Sequence, residues 1–167
     1  MKNNFLIIFF SISIFTNSLA ENLLIQAKNI SLDKDGQTSV FKDEVIITTQ
    51  EKTIKSDYVK YNKKTGFLLI KDNIRATDSK KNIIEAEQAE FYEKDKILIS
   101  KGPTKIITSD KYQLNGSNIK IDNINKTINS EDKSLLTDLD GNQIFLDSFD
   151  YLIEKNIFKS AGLIKII

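Results

Sequence analysis

Apolar and polar residues along this chain recur in phase rather than in one continuous pattern. Five apolar positions, Ile25, Ile54, Ile84, Leu114 and Ile144, stand 29, 30, 30 and 30 residues apart. Two further columns keep step with them: Ile30, Val59, Ala89, Ile119 and Phe149, and then Leu32, Tyr61, Phe91, Ile121 and Tyr151. Around these columns the pattern alternates with period two, as in Ile54-Lys55-Ser56 and Ile119-Lys120-Ile121, which predicts half-buried strands. Ile, Val, Tyr, Phe and Thr fill the runs and suit a pleated surface. No stretch keeps a capped helical stripe. The chain beyond residue 20 is therefore predicted to be all-β, built from about five repeats of about 30 residues that bury their apolar faces by stacking. All fifteen column residues are expected to pack in the core, each contributing roughly 1.5–3 kcal/mol.

Turn residues share the period. Asp35-Gly36, Thr65-Gly66 and Asp140-Gly141 supply the positive φ of tight hairpins. A second column, Asp43, Asp72, Gly102, Asp132 and Gly162, falls eighteen residues after each starting position and predicts bends. Each unit then reads as strand, hairpin, strand, bend, strand. The first and second apolar columns are five residues apart, an odd offset, so the side-chain face has to switch between them through a bulge or bend. The residue two places after the start is small in four repeats (Ala27, Ser56, Ala86, Gly116, against Leu146 in the fifth), which predicts a close backbone approach.

The first twenty residues are of another kind. Lys2 gives a positive start, Phe5 to Phe15 is an apolar run interrupted by serines, and Ser18-Leu19-Ala20 offers small residues before a cut. This predicts a signal peptide over residues 1–20, a mature chain from Glu21, and one domain over 21–167. The run is shorter than the roughly 20 residues that a membrane-spanning helix needs. The chain carries 24 basic and 23 acidic residues, and losing Lys2 leaves the mature part neutral. A neutral, interspersed surface lacks the basic stripe that nucleic-acid binding requires.

Chemistry is sparse. The sequence has no His, Cys or Trp, which removes a thiol nucleophile, an imidazole base and His/Cys zinc sites. Glu85, Glu87 and Glu90 alternate with apolar residues and read as a solvated strand face. Asp33-Lys34-Asp35-Gly36 and Asp138-Leu139-Asp140-Gly141 look like the start of calcium loops but lack the later ligands, and they coincide with turns. No enzyme activity, metal or cofactor is expected.

The strand openings Ile54-Lys55-Ser56-Asp57-Tyr58-Val59-Lys60-Tyr61, Ile84-Glu85-Ala86-Glu87-Gln88-Ala89-Glu90-Phe91 and Leu114-Asn115-Gly116-Ser117-Asn118-Ile119-Lys120-Ile121, with the strand end Ile106-Ile107-Thr108-Ser109, resemble the OstA-like family of lipopolysaccharide-transport proteins. The likeness runs from about Leu24 to Ile167. It implies a twisted, partly open antiparallel β-jellyroll whose two sheets splay into a V around lipid A acyl chains. It also implies a place in the periplasm in association with the outer membrane. The partners it implies are lipopolysaccharide and other jellyroll proteins of the same transport system, joined by edge-strand stacking.

On this resemblance the groove-lining residues are Ile54, Val59, Tyr61, Ile84, Ala89, Phe91, Leu114, Ile119 and Ile121. The docking edges are Leu23, Leu24, Ile25 and Ala27 at one end and Ile164, Ile166 and Ile167 at the other. The family's soluble bridge protein and the amino-terminal domain of its outer-membrane translocon both fit, and the chain leans towards the second. Two other readings of the repeats are a structural β-repeat scaffold, such as an adhesin stalk, and a periplasmic binding module for another amphiphile. The Asp-Gly hairpins favour antiparallel pairing over a β-helix.

Overall fold

The computed structural model describes residues 23–50, 52–155, 157–162 and 164–167; the expected signal peptide lies outside them. Fifteen strands form one antiparallel sheet that does not close on itself. They are β1 (Leu24–Gln26), β2 (Asn29–Leu32), β3 (Thr38–Thr48), β4 (Lys52–Asn62), β5 (Phe67–Asp78), β6 (Ile83–Tyr92), β7 (Ile97–Ile107), β8 (Gln113–Ser117), β9 (Lys120–Asp122), β10 (Thr127–Ser130), β11 (Ser134–Thr137), β12 (Gln143–Leu146), β13 (Ser148–Leu152), β14 (Ile157–Ala161) and β15 (Lys165–Ile166). No helix occurs among the described residues.

The pairing reduces these strands to ten long legs in an up-and-down meander. β3 to β7 are unbroken legs, and β1/β2, β8/β9, β10/β11, β12/β13 and β14/β15 are legs broken near the middle. Each leg belongs to two arms. One arm runs β1-β3-β4-β5-β6-β7-β8-β11-β12-β15. The other uses β2, the remaining halves of β3 to β7, and then β9, β10, β13 and β14. We call these the first and second arms. The all-β, antiparallel architecture expected from the repeats and the open sheet that the resemblance implies are the ones observed, and each repeat is one hairpin of two bent legs.

The bends arise where the sequence places them. The register shifts between Lys42 and Val45, Lys55 and Tyr58, Lys71 and Ile74, and Ala86 and Gln88. Asp43, Glu44, Asp72, Asn73 and Gly102 hold positive φ there. Asn and Asp tolerate this region better than most residues because their short polar side chains bond locally. Side-chain bonds between adjacent legs brace the bends: Asn29 Nδ2 donates to Asp43 Oδ2 at 2.7 Å, Asn73 Nδ2 to Asp57 Oδ2 at 2.6 Å, and Asn118 Nδ2 to Asp132 Oδ2 at 2.6 Å. The predicted face switch follows. Buried positions are three apart across the bend on β4 (Ser56, Val59) and β6 (Ala86, Ala89), but four apart on β5 (Ile70, Ile74) and β7 (Ser100, Thr104).

Beside the bends runs a row of small side chains that lets the arms converge. A Cβ added at Gly116 would stand 2.6 Å from Ser134 Oγ, the close approach that the small column predicts. The hydroxyls here satisfy backbone groups that the broken ladder leaves open. Ser100 Oγ accepts from Ile119 N–H at 2.9 Å and from Thr104 Oγ1 at 2.7 Å; Ser130 Oγ donates to the Ser117 carbonyl at 2.7 Å, and Ser160 Oγ to the Ser148 carbonyl at 2.7 Å. The outer ends of the legs are hairpins. Gly36, Gly66 and Gly141 take positive φ in them as predicted, while Lys81, Lys96, Lys111 and Lys126 hold the equivalent conformation without glycine.

The core lies between the arms and is centred on Val45, Ile47, Val59, Leu68, Ile70 and Ile119. The column residues Ile30 and Leu32, expected in it, are 57% and 68% exposed. Ile30 stands opposite Phe41 and Leu32 opposite Ser39, but β2 is an edge strand of the second arm and stays exposed. Leu32, Ser39, Tyr61 and Leu68 stand in one lateral row, so burial alone separates Leu32 from Leu68, which is fully buried. Leu68→Ala is expected to cost about 2–5 kcal/mol, and Leu32→Ala no more than about 0.5 kcal/mol. Urea unfolding of the two variants measures the contrast.

Candidate functional site

The inner wall of the first arm carries, outward of the residues beside the bends, a continuous aliphatic lateral row. Ile25, Ile47, Ile54, Ala76, Ile84, Ile106, Leu114, Leu136, Ile144 and Ile166 are cross-strand partners in unbroken succession. With neighbouring strands about 4.8 Å apart, ten legs span about 43 Å. Alternate members are the first sequence column. The others, Ile47, Ala76, Ile106, Leu136 and Ile166, come from the returning leg of each hairpin; they follow the first-column members by 22 residues and keep the same spacing, but were not singled out in the sequence.

The nine expected lining residues lie in the core between the arms or pack against it. Ile54, Val59, Ala89, Phe91, Leu114, Ile119 and Ile121 belong to the buried cluster, and Tyr61 and Ile84 pack against it half-buried. Leu68, Ile70, Leu98, Ile106 and Phe149 join them, all absent from the expected lining. In the middle of the molecule the space between the arms is filled. A void of about 10 Å³ remains, bounded by Leu23, Ile47, Thr49, Lys52 and Ile54 of the first arm and Leu68, Ile70, Phe91 and Leu98 of the second. That is about the volume one water molecule needs. Burial falls towards the β15 end, where Leu136 and Ile144 of the first arm and Ile128 of the second are only partly covered and Phe158 is 38% exposed.

The arms are displaced along the sheet relative to each other. The void brings Ile54 of the third leg against Phe91 and Leu98 of the fifth and sixth. At the rim, Lys52 Nζ, at the start of β4, donates to Asn123 Oδ1, just beyond β9, at 3.1 Å. Asn123 is itself held to the Lys96 carbonyl through its backbone N–H at 3.1 Å and its Nδ2 at 2.7 Å. Ser56 Oγ, near the bend, is buried and has no hydrogen-bond partner.

The carboxylates are engaged in structure. Glu85 pairs with Arg75, and Glu90 accepts from Tyr92 Oη at 3.1 Å and lies 3.3 Å from Lys101 Nζ. Asp33 Oδ1 accepts the Gln37 N–H at 2.9 Å; Asp138 Oδ1 accepts those of Asp140 and Asn142, both at 2.9 Å. Backbone donation centred on Thr38 holds Asp33 below the usual carboxylate range, and the Asn142 side chain does the same for Asp138. The two calcium-like stretches are thus hairpin turns whose acids bond their own backbone. No cluster of three metal-ligating side chains occurs among the described residues. An open pocket of about 510 Å³ lies beside the bend of the first arm, around Arg75, Glu85, Lys105, Asn115 and Pro103.

Both ends present strand edges. β1 and β2 pair only with β3, β15 pairs with β12 and β14 with β13. Of the expected docking residues, Leu24 is 54% exposed, whereas Leu23, Ile25 and Ala27 pack against the core. Ile164, Ile166 and Ile167 are at least half exposed. Gln143 and Ile167 exchange both backbone hydrogen bonds at 2.9 Å, so the next residue, Ile166, turns its N–H and C=O towards the open edge.

No family model matches the sequence, and no curated protein matches it. Among solved structures, the chain is similar to a crystal structure of LptH, described as the LptA-homologous periplasmic component of the conserved lipopolysaccharide transport device from Pseudomonas aeruginosa. The similarity covers 88% of this chain and 94% of that one at 11% identity, with a TM-score of 0.36.

Tyr61 gives a direct probe of the second arm's rim. Its hydroxyl donates to Glu93 Oε2 at 3.1 Å, and burial followed by the Glu93 charge pushes its pKa up to about 12. The unfolded chain loses this proton near pH 10 while the folded chain keeps it, so the contribution of Tyr61 to stability falls as pH rises from 10 to 12. Ultraviolet titration is expected to show a late-ionising tyrosine that Tyr61→Phe removes.

Proposed function

We propose that this protein is a non-catalytic carrier that shields acyl chains between its two arms and passes lipopolysaccharide towards the outer membrane as one unit of a stacked periplasmic series. The supporting observation is the unbroken inner row from Ile25 to Ile166, faced by a second apolar arm and covered only partly towards the β15 end. An acyl chain needs a continuous dry surface, and each CH₂ buried contributes roughly 0.8 kcal/mol. The neutral, signal-led sequence fits export to the periplasm. The edges at β1, β2, β14 and β15 fit strand addition by a neighbouring jellyroll, since unpaired N–H and C=O groups template such pairing. The role of translocon amino-terminal domain or of soluble bridge belongs to the same proposal.

The filled middle of the cleft is what a purely structural β-repeat scaffold also requires, and a photo-crosslinking experiment separates the two. A benzophenone amino acid placed singly at Tyr61, Phe91 or Leu114 is expected to capture lipopolysaccharide at more than one position during export. Capture of a different amphiphile identifies a binding module for that ligand. A folded protein that captures no lipid at any position is a scaffold.

Ile166→Pro tests the edge. It removes an N–H that faces outward and leaves the pairing with β12 intact, so the core is expected to stay folded with an unchanged unfolding midpoint. Light scattering across concentration, alone and with a jellyroll partner, should show head-to-tail association in the wild type and its loss in the variant. A strictly monomeric wild type that binds no partner overturns the docking role.

A further inference from the structure

Between the arms, a polar contact crosses the mouth at the side away from the bends. Lys52 lies at a hairpin of the first arm's rim and is half-buried; its stem borders the residual void beneath it. Its ammonium reaches Asn123 on the second arm's rim. Asn123 is fixed from behind by two hydrogen bonds to the Lys96 carbonyl, so it is a rigid acceptor rather than a loose surface amide. Besides the apolar core they share, the arms are joined through the bends, where the ladder is interrupted at four successive strand pairs and the backbone carries positive φ. Interrupted ladders are the compliant places in a sheet. The void under Lys52 has room for about one water, so at that place the closed arms leave no room for an acyl chain.

From these features we infer that the Lys52–Asn123 hydrogen bond is a latch that holds the two arms closed, with the line of bends as its hinge. The inference extends the carrier reading by naming how the cleft is kept shut, and it rests on that reading only for the purpose of opening. A hydrogen bond to a charged donor in a half-buried site is a contact of moderate strength. Releasing it is expected to raise the open population about three- to tenfold. Lys52 also touches the apolar floor, so the informative variant keeps the stem and loses the charge.

The test uses Lys52→Met and Asn123→Ala in the full mature chain. The sequence has no cysteine, so Ser79→Cys and Asp95→Cys, on exposed hairpins of the first and second rims, take spin labels uniquely. Double electron–electron resonance is expected to show a longer or broader inter-rim distance in both latch variants than in the wild type. Uptake of the neutral dye N-phenyl-1-naphthylamine should rise about three- to tenfold alongside. If either variant fails to fold, the other alone decides. Identical distance distributions in the wild type and a folded variant overturn the latch, whatever the dye does. Wider arms that take up no dye uphold the latch and count instead against the carrier reading.

Discussion

Everything in this molecule depends on each long strand turning a corner at its middle. A ten-leg meander left straight would be a flat ribbon with two wet faces and no interior. The bulges at Asp43-Glu44, Asp72-Asn73 and Gly102 fold that ribbon along one line, so that a single sheet supplies both walls of its own core. The corner needs residues that accept positive φ, side chains small enough for the arms to converge, and partners for the backbone groups the broken ladder exposes. Asn–Asp pairs on adjacent legs meet the first need and the small row ending at Gly116 the second. Ser100, Ser130 and Ser160, one repeat apart, meet the third.

The repeat made the architecture legible before any coordinate. Three in-phase columns with an odd offset between two of them require strands that change face, and the bulges sit at that offset. Ile47, Ala76, Ile106 and Leu136 complete the inner row from the returning legs and keep the same 29- and 30-residue spacing, so they were legible in the sequence as a further column. Burial at the ends was misjudged for Ile30 and Leu32 because periodicity tells which way a side chain points and not whether anything stands opposite. The displacement of the arms, which decides that, belongs to sheet twist and leaves no mark on local pattern.

The candidate site divides in the same way. The lining residues read from the resemblance lie in or against the core between the arms, since inward orientation is a matter of register. Whether the cleft is open was not readable, because that depends on how far apart two arms settle. Lys52 and Asn123, the pair that crosses the mouth, are 71 residues apart and each looks like an ordinary turn residue in its own repeat.

The inner row of the first arm carries a consequence for anything that moves along it. Nine of its ten members are isoleucine or leucine, and alanine occurs once, at position 76. A guest shifted sideways by one strand exchanges one branched aliphatic contact for another of nearly the same size, so its energy barely changes and the wall offers no stopping place of its own. Friction along such a surface is low whatever the total affinity. Ala76 is the exception: the wall is shallower there, and a travelling chain meets a single notch between Ile54 and Ile84 in an otherwise even track.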